Sequence, residues 1–331
     1  VQAAEPAASA GEGSTALQAE NRAIVCMAAG DTAAPLAGSE EDGLSWENLM
    51  EISDKTAQES GLPALSSDGS VSGTRLMLVS SDTLSTEEII ADVSARSGVL
   101  FAEPDYGFQL EDDGTAAGSD AYAALQSGTR QEADLSQLTT AVTPDYSSFQ
   151  WGLHNTGLFM SGKAGVDIGN TLNLKGSPDV VIAVMDTGID AEHPDLIGHM
   201  VNLDLYPGLQ AATGCGRYGY CTVVGEDPTD TSCYDDGVTH GTHCAGIIAA
   251  AADGAGTTGA AAGVSIMAVR IFHKGIDLEY TSDVIRGYQW LIQAKEAGVN
   301  VRAVSCSFGS PALVYSRLLA IREAEDRDII S

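Results

Sequence analysis

Apolar runs of strand length alternate with helical patterns between residues 179 and 309, and this alternation constrains the fold most strongly. The runs are DVVIAVMD (179–186), VSIMAVRIF (264–272) and VRAVSCSFG (301–309). Continuous apolar runs rich in β-branched residues are typical of strands buried on both faces. The helical patterns between and after them are HGTHCAGIIAAAA (240–252), TSDVIRGYQWLIQAKEAG (281–298) and PALVYSRLLAIREAEDRD (311–328). Such alternation builds a parallel sheet through right-handed crossovers, so we predict an α/β fold.

Two boundaries within the alternating region are predicted in more detail. Ser282 or Asp283 is expected to cap the helix over 281–298, since short polar side chains are preferred there. Ile-Ile-Ser (329–331) has the apolar character of the first residues of a fourth strand.

A smaller unit is predicted over residues 21–110. NRAIVCMAA (21–29), TRLMLVS (74–80) and VLFAEPDYGFQL (99–110) are strand candidates, and Pro104 is expected to interrupt the last of them. DTLSTEEIIADVSARSG (82–98) predicts a helix in which Ser85 and Glu88 form a capping box. The polar passage up to about residue 72 predicts no further element. This order of elements indicates a small α+β domain.

Two segments are predicted to lie outside the folded units. Residues 1–20 are small and polar, which predicts disorder. Residues 111–147 hold seven acidic residues and one basic residue without any apolar period, so we expect an exposed, protease-sensitive linker. The second unit is then expected to span residues 148–331.

Charge and cysteine content exclude some partners and favour an exported protein. Sixteen Lys and Arg stand against 46 Asp and Glu, a net charge of 16 − 46 = −30, which would be repelled by nucleic acid.

The six cysteines form no CxxC pair, so a loop disulfide among Cys215, Cys221 and Cys233 is favoured over a zinc site. The chain does not start with Met, which fits removal of a signal peptide, although a trimmed sequence would look the same. The weakly charged run from Ala245 to Val269 is rich in Gly and Ala, so it predicts no membrane span.

Asp186 ends the first apolar run within Asp-Thr-Gly, and three interpretations compete for it. An aspartic protease needs two carboxylates that share a proton, but the chain has no second motif of this kind. A strand-end turn would need no partner. In a Ser-His-Asp triad, the aspartate orients a histidine that removes the proton of a serine. His240 begins a helix, and helix and strand ends meet at the carboxyl edge of a parallel sheet, so we favour the triad.

The motifs around these residues resemble those of the subtilisin-like serine protease family. VVIAVMDTGIDAEHPDL (180–196), HGTHCAGIIAA (240–250) and VSCSFGSP (304–311) occur in the family's order, aspartate before histidine. QWGLHNTG (150–157) resembles the first segment of the catalytic domain, and GVLFAEPDY (98–106) resembles the end of the inhibitory propeptide. The resemblance covers about residues 21–110 and 148–331.

The resemblance implies a three-layer parallel-sheet catalytic domain that follows a small, ferredoxin-like α+β propeptide. Asp186 would be the orienting carboxylate and His240 the general base, while Ser307, Phe308 and Gly309 would line the substrate groove. Asp195 and Asp253 match positions that often bind structural calcium, and no organic cofactor is expected. The substrates would be polypeptides, the propeptide would act as an intramolecular inhibitor cut within 111–147, and the protein would be extracellular.

The chain also departs from the family's pattern. No Gly-Thr-Ser-Met-like nucleophile motif and no oxyanion-hole Asn follow the third strand, so we expect a catalytic domain that is truncated and inactive as it stands. A non-catalytic binding module is the alternative. A metal-dependent hydrolase using Asp186, His240, His193 and His243 is a third, although HxxH lacks the spacing of a zinc protease helix. Cys244 is expected to be a small buried residue.

Overall fold

A computed structural model describes residues 18–28, 40–62, 73–110, 176–233, 240–273, 278–309 and 313–331. The predictions for residues 1–17, for the linker at 111–147 and for the segment 150–157 lie outside these ranges. Gln18–Glu20, which we expected to be disordered, are the first residues of a strand.

The first unit is an antiparallel sheet with two short helices. Its elements are β1 (Gln18–Ala28), β2 (Glu40–Glu41), β3 (Leu44–Ile52), α1 (Asp54–Glu59), β4 (Thr74–Ser80), α2 (Thr86–Ser94) and β5 (Val99–Leu110). The strand order is β5-β1-β4-β3-β2. The predicted capping box at the start of α2 is confirmed, with Ser85 and Glu88 bonding each other's backbone N–H groups.

Two predictions for this unit are wrong. The polar passage before residue 72 contains β3 and α1, and a register shift between Asn48 and Met50 explains why the strand was missed. The shift buries both Leu49 and Met50, so the alternation that marks a strand is broken. Pro104 does not interrupt β5, which runs unbroken for 12 residues.

The sheet of the first unit buries both of its faces. On one face, Val25, Met77 and Val79 pack under α2 against Ile89 and Val93. On the other face, residues of β1, β3 and β4 belong to the same core as the helices Thr281–Glu296 and Tyr315–Glu325 of the second unit. They include Ile24, Cys26, Met50, Ile52, Leu76 and Leu78. Period-two alternation along the strands produces this division.

The second unit contains the parallel sheet. Its elements are β6 (Val181–Asp186), a 3₁₀ turn (Leu203–Leu205), α3 (Pro207–Thr213), β7 (Gly219–Cys221), α4 (His240–Ala249), β8 (Ser265–Arg270), β9 (Leu278–Tyr280), α5 (Thr281–Glu296), β10 (Val301–Cys306), β11 (Phe308–Gly309) and α6 (Tyr315–Glu325). Strands β10, β6, β8 and β7 lie side by side in that order, and all pairs are parallel. The predicted parallel α/β architecture is therefore confirmed.

Helices cover both faces of the parallel sheet. Cys244, Ala245 and Ala249 of α4 pack with Val184 and Ile266 on one face. Residues of α5 and α6 pack on the other face, against Ala183, Met185, Met267 and Val269. The small side chains of α4 let this helix approach the sheet closely. None of the helices in the described ranges is long and apolar enough to cross a membrane.

The structure corrects three details of the second unit. The run at 301–309 forms two strands in different sheets, because the chain leaves the parallel sheet at Ser307. Neither Ser282 nor Asp283 caps α5, which starts after Tyr280 without a side-chain cap of its own. The predicted fourth strand is reduced to one parallel bridge, between Ala303 and Ile330.

The two units share a sheet at the end of β5. Gly107–Gln109 pair antiparallel with β9, and Gln109 and Leu110 pair antiparallel with β11. The last residues of β5 therefore fill the space between β9 and β11, which we call the β9–β11 slot. Strand pairing on both sides fixes the direction and register of the inserted backbone.

Candidate active site

Asp186 lies at the carboxyl end of β6, where the chain leaves the parallel sheet. Its side chain is fully buried, and the N–H of Thr187 donates to Oδ1 over 2.7 Å. Neighbouring β8 continues alongside, with Asp186 paired to Arg270. The carboxylate is thus fixed at the edge of the sheet where α/β proteins form their sites.

His240 is the first residue of α4, and its ring contacts the carboxylate of Asp186. Nδ1 lies 2.8 Å from Oδ1 and 3.0 Å from Oδ2. The hydrogen bond to Asp186 and a weaker one to Cys244 raise the pKa of His240, against the opposing effect of burial. About a third of the imidazole is exposed, so solvent reaches the ring, whereas the carboxylate of Asp186 is buried.

Two threonines connect the loop after Asp186 to the first turn of α4. The N–H of Gly241 donates to Thr187 Oγ1 over 3.1 Å, and the N–H of Asp190 donates to Thr242 Oγ1 over 2.9 Å. These reciprocal bonds hold the two motifs in register. Sequence reasoning gave neither threonine a role, although both stand directly beside the predicted pair in Asp-Thr-Gly and His-Gly-Thr.

Gly241 is required by the closeness of this contact. A Cβ atom at this position would collide with the carbonyl oxygen of Gly188 and would lie 3.1 Å from the Cβ of Asp186. A larger residue would therefore push α4 away from the end of β6 and separate His240 from its partner.

The loop that precedes α4 is held by a buried arginine of β8. The Arg270 side chain is fully buried; its guanidinium pairs with Glu226, lies 3.9 Å from Asp230 and donates to the backbone oxygen of Asp230 over 2.8 Å. Of Cys215, Cys221 and Cys233, among which we expected a disulfide, Cys233 lies in this loop and the other two precede it. The structure instead has all six cysteines as free thiols, with Cys215 and Cys221 buried.

The predicted groove residues lie on one wall of the β9–β11 slot. Ser307 links β10 to β11, and Phe308 and Gly309 form β11. The Phe308 ring meets Phe272 edge-on at a centroid distance of 6.3 Å, and Arg317 lies 5.4 Å from the Phe308 ring centroid. These contacts with Phe272 and Arg317 hold the side chain of Phe308 in place. The structure thus places β11 and the Asp186–His240 pair in the same unit, beyond the carboxyl ends of its strands.

Two acidic residues of β5 satisfy the N-termini of the helices beside the slot. Asp105 is fully buried and accepts hydrogen bonds from Ser282, over 3.0 Å from N and 2.8 Å from Oγ, at the start of α5. Glu103 accepts from the N–H groups of Tyr315 and Ser316, over 3.2 and 2.9 Å, at the start of α6. Each carboxylate binds N–H groups that lack partners in the helix, at its electropositive end.

Burial disfavours the ionised form of both carboxylates. It raises the pKa of Glu103, and it raises the pKa of Asp105 from 3.8 to about 6 despite Arg22, whose guanidinium lies 3.6 Å away. Sequence reasoning missed both acids, because each contacts a helix more than 170 residues away.

The surroundings of Asp195 and Asp253 do not fit the expected calcium ion. Asp195 Oδ2 accepts from both the N–H and the hydroxyl of Thr257 over 3.0 Å, and the backbone of Gly256 closes on the carboxylate. Asp253, which is exposed, accepts from the nearby N–H of Ala255. Calcium needs six to eight oxygen ligands, whereas Oδ2 of Asp195 already accepts two hydrogen bonds from Thr257.

The histidines suggested for a metal-dependent hydrolase do not assemble. His193 Nδ1 accepts from the N–H of Asp195, and His243 is exposed on α4. Among the described residues, Asp186, His240 and Cys244 are the one group whose ligand atoms come close enough to share an ion.

The parallel sheet and the Asp186–His240 contact at its carboxyl edge define an α/β protein, and a contact of this kind is what a Ser-His-Asp triad requires of its acid and base. Residues 177–329 match the model of the subtilase family, peptidase S8. This part of the chain is therefore similar in sequence to the subtilase family.

The curated relatives agree with this assignment. Subtilisin E of Bacillus subtilis (strain 168) is 34% identical over 133 residues, which are 40% of this chain and 28% of subtilisin E. The intracellular serine protease of Paenibacillus polymyxa is 29% identical over 151 residues, 46% of this chain and 39% of that protein. The chain therefore spans well under half the length of these relatives.

A solved structure extends the likeness to the first unit. Fervidolysin from Fervidobacterium pennivorans, a keratinolytic enzyme related to subtilisin, superposes with a TM-score of 0.51 and 20% identity. The match covers 94% of this chain and 39% of fervidolysin, so the similarity of fold is not confined to the parallel sheet.

Proposed function

We propose that this protein is the precursor of a serine endopeptidase in which Asp186 orients His240 as the general base. The observation that carries the proposal is the contact of Nδ1 with both carboxylate oxygens, over 2.8 and 3.0 Å, within a segment of subtilase sequence. The complete activity is a proposal, because the chain spans a minor part of its relatives.

The chemistry follows from the tautomer that Asp186 selects. A carboxylate at Nδ1 keeps the ring proton there, which leaves the lone pair of Nε2 free to accept the proton of a serine hydroxyl. The same carboxylate then stabilises the imidazolium that forms. Because Asp186 is buried and bonded to Thr187, it holds the ring without competition from water.

The β9–β11 slot is proposed as the substrate groove. A strand between β9 and β11 forms backbone pairs on both sides. Backbone pairing of this kind can bind an extended peptide whatever most of its side chains are. Ser307, Phe308 and Gly309 would contact that peptide from one side. Polypeptides are the substrate class that fits such a slot, and no organic cofactor is needed for this chemistry.

The first unit is proposed as an intramolecular inhibitor. Its strand β5 fills the slot, and Glu103 and Asp105 anchor that strand to the helices on either side. The Arg286 guanidinium adds a bidentate ion pair to Glu47 of β3, over 2.8 and 2.9 Å. We propose that maturation cuts the chain shortly after Leu110, where the slot-bound strand ends and the acidic segment begins. An extracellular location fits this precursor organisation.

The test is expression from the natural reading frame, including whatever coding sequence follows Ser331, with hydrolysis of an internally quenched peptide as the assay. We expect His240→Ala to lower kcat/KM by a factor on the order of 10⁴ or more. His243→Ala, on the exposed face of the same helix, is the matched control and should retain activity. Equal activity of the His240→Ala protein and the wild type would overturn the mechanism.

The same experiment tests the inhibitor proposal. Mass spectrometry of the wild-type product should show a new N-terminus shortly beyond Leu110, and the His240→Ala protein should remain uncut. A wild-type protein without peptidase activity that still binds unfolded polypeptides through the slot would favour the non-catalytic binding module.

A further inference from the structure

Glu279 is a buried acid in one wall of the β9–β11 slot, and it takes no part in the proposed mechanism. It is the middle residue of β9, and its side chain is fully buried. Within the part of the chain that the structure describes, neither carboxyl oxygen has a hydrogen-bond partner. Burial of a polar group without a partner is costly, so this group calls for a ligand that would complete it.

The strand register places Glu279 on the inner face of the slot. Phe108 of β5 is the Cα partner of Glu279, and Leu110 is the Cα partner of Phe308. Positions directly paired in antiparallel strands share a face, and so do positions two apart along one strand. Glu279 and Phe308 therefore lie on the same face. The contact of Phe308 with the fully buried Phe272 identifies it as the face toward the protein interior.

The charges that act on Glu279 show that its carboxyl group reaches across this face. Burial raises the pKa of Glu279 well above its ordinary value, the charge of Arg317 opposes the shift, and Asp283 and Asp186 add to it. The Arg317 guanidinium lies 5.4 Å from the ring centroid of Phe308, which belongs to the opposite wall. Glu279 of one wall is thus within electrostatic range of a group packed on the other.

The strand that fills the slot in this structure does not complete the site. The residue of β5 opposite Glu279 is Phe108, a residue type whose side chain has no hydrogen-bond donor. The neighbouring acid Asp283 has a partner of its own, since it accepts from Arg286 Nη1 over 3.0 Å. Glu279 therefore still lacks a donor while β5 occupies the slot.

We propose that Glu279 is a specificity-determining residue that selects peptides with Lys or Arg at the position opposite it. The peptide position two residues closer to the carboxyl end faces Phe308 and takes an apolar side chain. A cationic side chain supplies both the charge and the N–H donors that the buried carboxylate lacks. The inference rests on the proposed function, in which the slot is the substrate groove and alternate side chains of the bound strand determine specificity.

The same geometry disfavours other side chains at that position. An apolar side chain leaves the carboxyl group buried without a donor, as β5 does. An acidic side chain brings a second negative charge beside it, in the absence of water. A site that requires a hydrogen-bond donor discriminates strongly against a ligand that lacks one.

The first experiment uses the 331-residue chain and does not need activity. Because β5 is itself the bound strand, Phe108→Lys places a cationic side chain opposite Glu279. A double-mutant cycle with Glu279→Gln, measured by urea unfolding, gives the coupling between the two positions. We expect Phe108→Lys to raise the unfolding equilibrium constant at least about tenfold more in the Glu279→Gln background than in the wild type.

Gln109→Lys is the matched control, because position 109 lies on the other face of β5. Its coupling to Glu279→Gln should stay within about twofold. Equal coupling at both positions, or none at position 108, would overturn the proposal. If Phe108→Lys prevents folding, Phe108→Gln supplies a neutral donor and should show coupling of the same sign.

The second experiment tests the substrate class in protein expressed from the natural reading frame. Two sets of internally quenched peptides move a single Arg or a single Phe along an alanine-rich sequence. We expect one position at which Arg raises kcat/KM at least about tenfold over Leu, with the best position for Phe two residues closer to the carboxyl end. The preference for Arg should be lost in Glu279→Gln and kept in Glu325→Gln, an exposed position. A preference for Arg that is unchanged in Glu279→Gln would overturn the proposal.

The two experiments separate this proposal from the proposed function. Coupling between positions 108 and 279 in a protein without peptidase activity would support the cation site and refute the proposed function. Peptidase activity without that coupling and without a preference for Arg would support the proposed function and overturn the cation site.

Discussion

Replacement of Asp105 tests how the first unit is held against the second. The carboxylate is fully buried and accepts two hydrogen bonds from Ser282 at the start of α5. Asp105→Ala leaves both donors without a partner, at about 1–3 kcal/mol for each buried unsatisfied group. We expect a loss of about 3 kcal/mol in the free energy of unfolding. Asp105→Asn keeps the shape and one acceptor oxygen, so its loss should be smaller.

The pH dependence distinguishes the buried charge from simple packing. Burial raises the pKa of Asp105 from 3.8 to about 6, so the folded protein favours the protonated form. Its contribution to stability is therefore largest below pH 3.8, falls as the pH rises, and becomes constant above about pH 6. At about 1.4 kcal/mol per pKa unit, the total fall is on the order of 3 kcal/mol.

The assay is urea unfolding between pH 4 and pH 8, followed by the fluorescence of Trp46 and Trp290, both of which are buried. The stability of the wild type minus that of Asp105→Asn should decrease by about 2 kcal/mol between pH 4 and pH 7. Because both proteins share all other titrating groups, the subtraction isolates Asp105. A difference that is flat or that increases with pH would refute the reasoning.

Three further predictions concern the contacts around the site. Gly241→Ala should cost about 2 kcal/mol or more, because its methyl group meets a backbone carbonyl, whereas Gly246→Ala on the same helix has open space and should gain up to about 1 kcal/mol in chemical unfolding. Glu323→Ala should cost about 2 kcal/mol, because this buried carboxylate accepts hydrogen bonds from the N–H and the hydroxyl of Ser53, the N-cap of α1, over 3.0 and 2.9 Å. Glu325→Ala, at an exposed position, should cost less than about 0.5 kcal/mol, and equal losses would contradict the contact. Chelation with EDTA should leave the Tm unchanged, because Oδ2 of Asp195 already accepts two hydrogen bonds from Thr257; a lower Tm that calcium restores would contradict this.

Sequence reasoning succeeded where local pattern and topology decide the structure. The buried runs at 179–186 and 264–272 have no other stable environment than the centre of a parallel sheet, and the carboxyl ends of such strands face one edge. The meeting of Asp186 and His240 follows from that topology. The capping box at Ser85 is equally local.

Sequence reasoning failed where distant residues decide. A bulge after Asn48 hid β3, because one extra residue reverses the side-chain alternation. The start of α5 is satisfied by Asp105, which lies 177 residues before its donor, so Ser282 was wrongly expected to cap the helix itself. Thr257 donates a hydrogen bond to the carboxylate of Asp195, which lies 62 residues earlier in the chain, so no local pattern predicts this contact.

We propose that the carboxylate of Asp186 fixes the His240 imidazole in place, and NMR titration of that imidazole measures this contact. The measurement uses the chain labelled with ¹⁵N-histidine, with Asp186→Asn as the comparison. We predict a midpoint above the ordinary value of 6.5 in the wild type, because the adjacent carboxylate favours the imidazolium, and a fall toward that value in Asp186→Asn. An unshifted midpoint in the wild type, or the same midpoint in both proteins, would contradict the account.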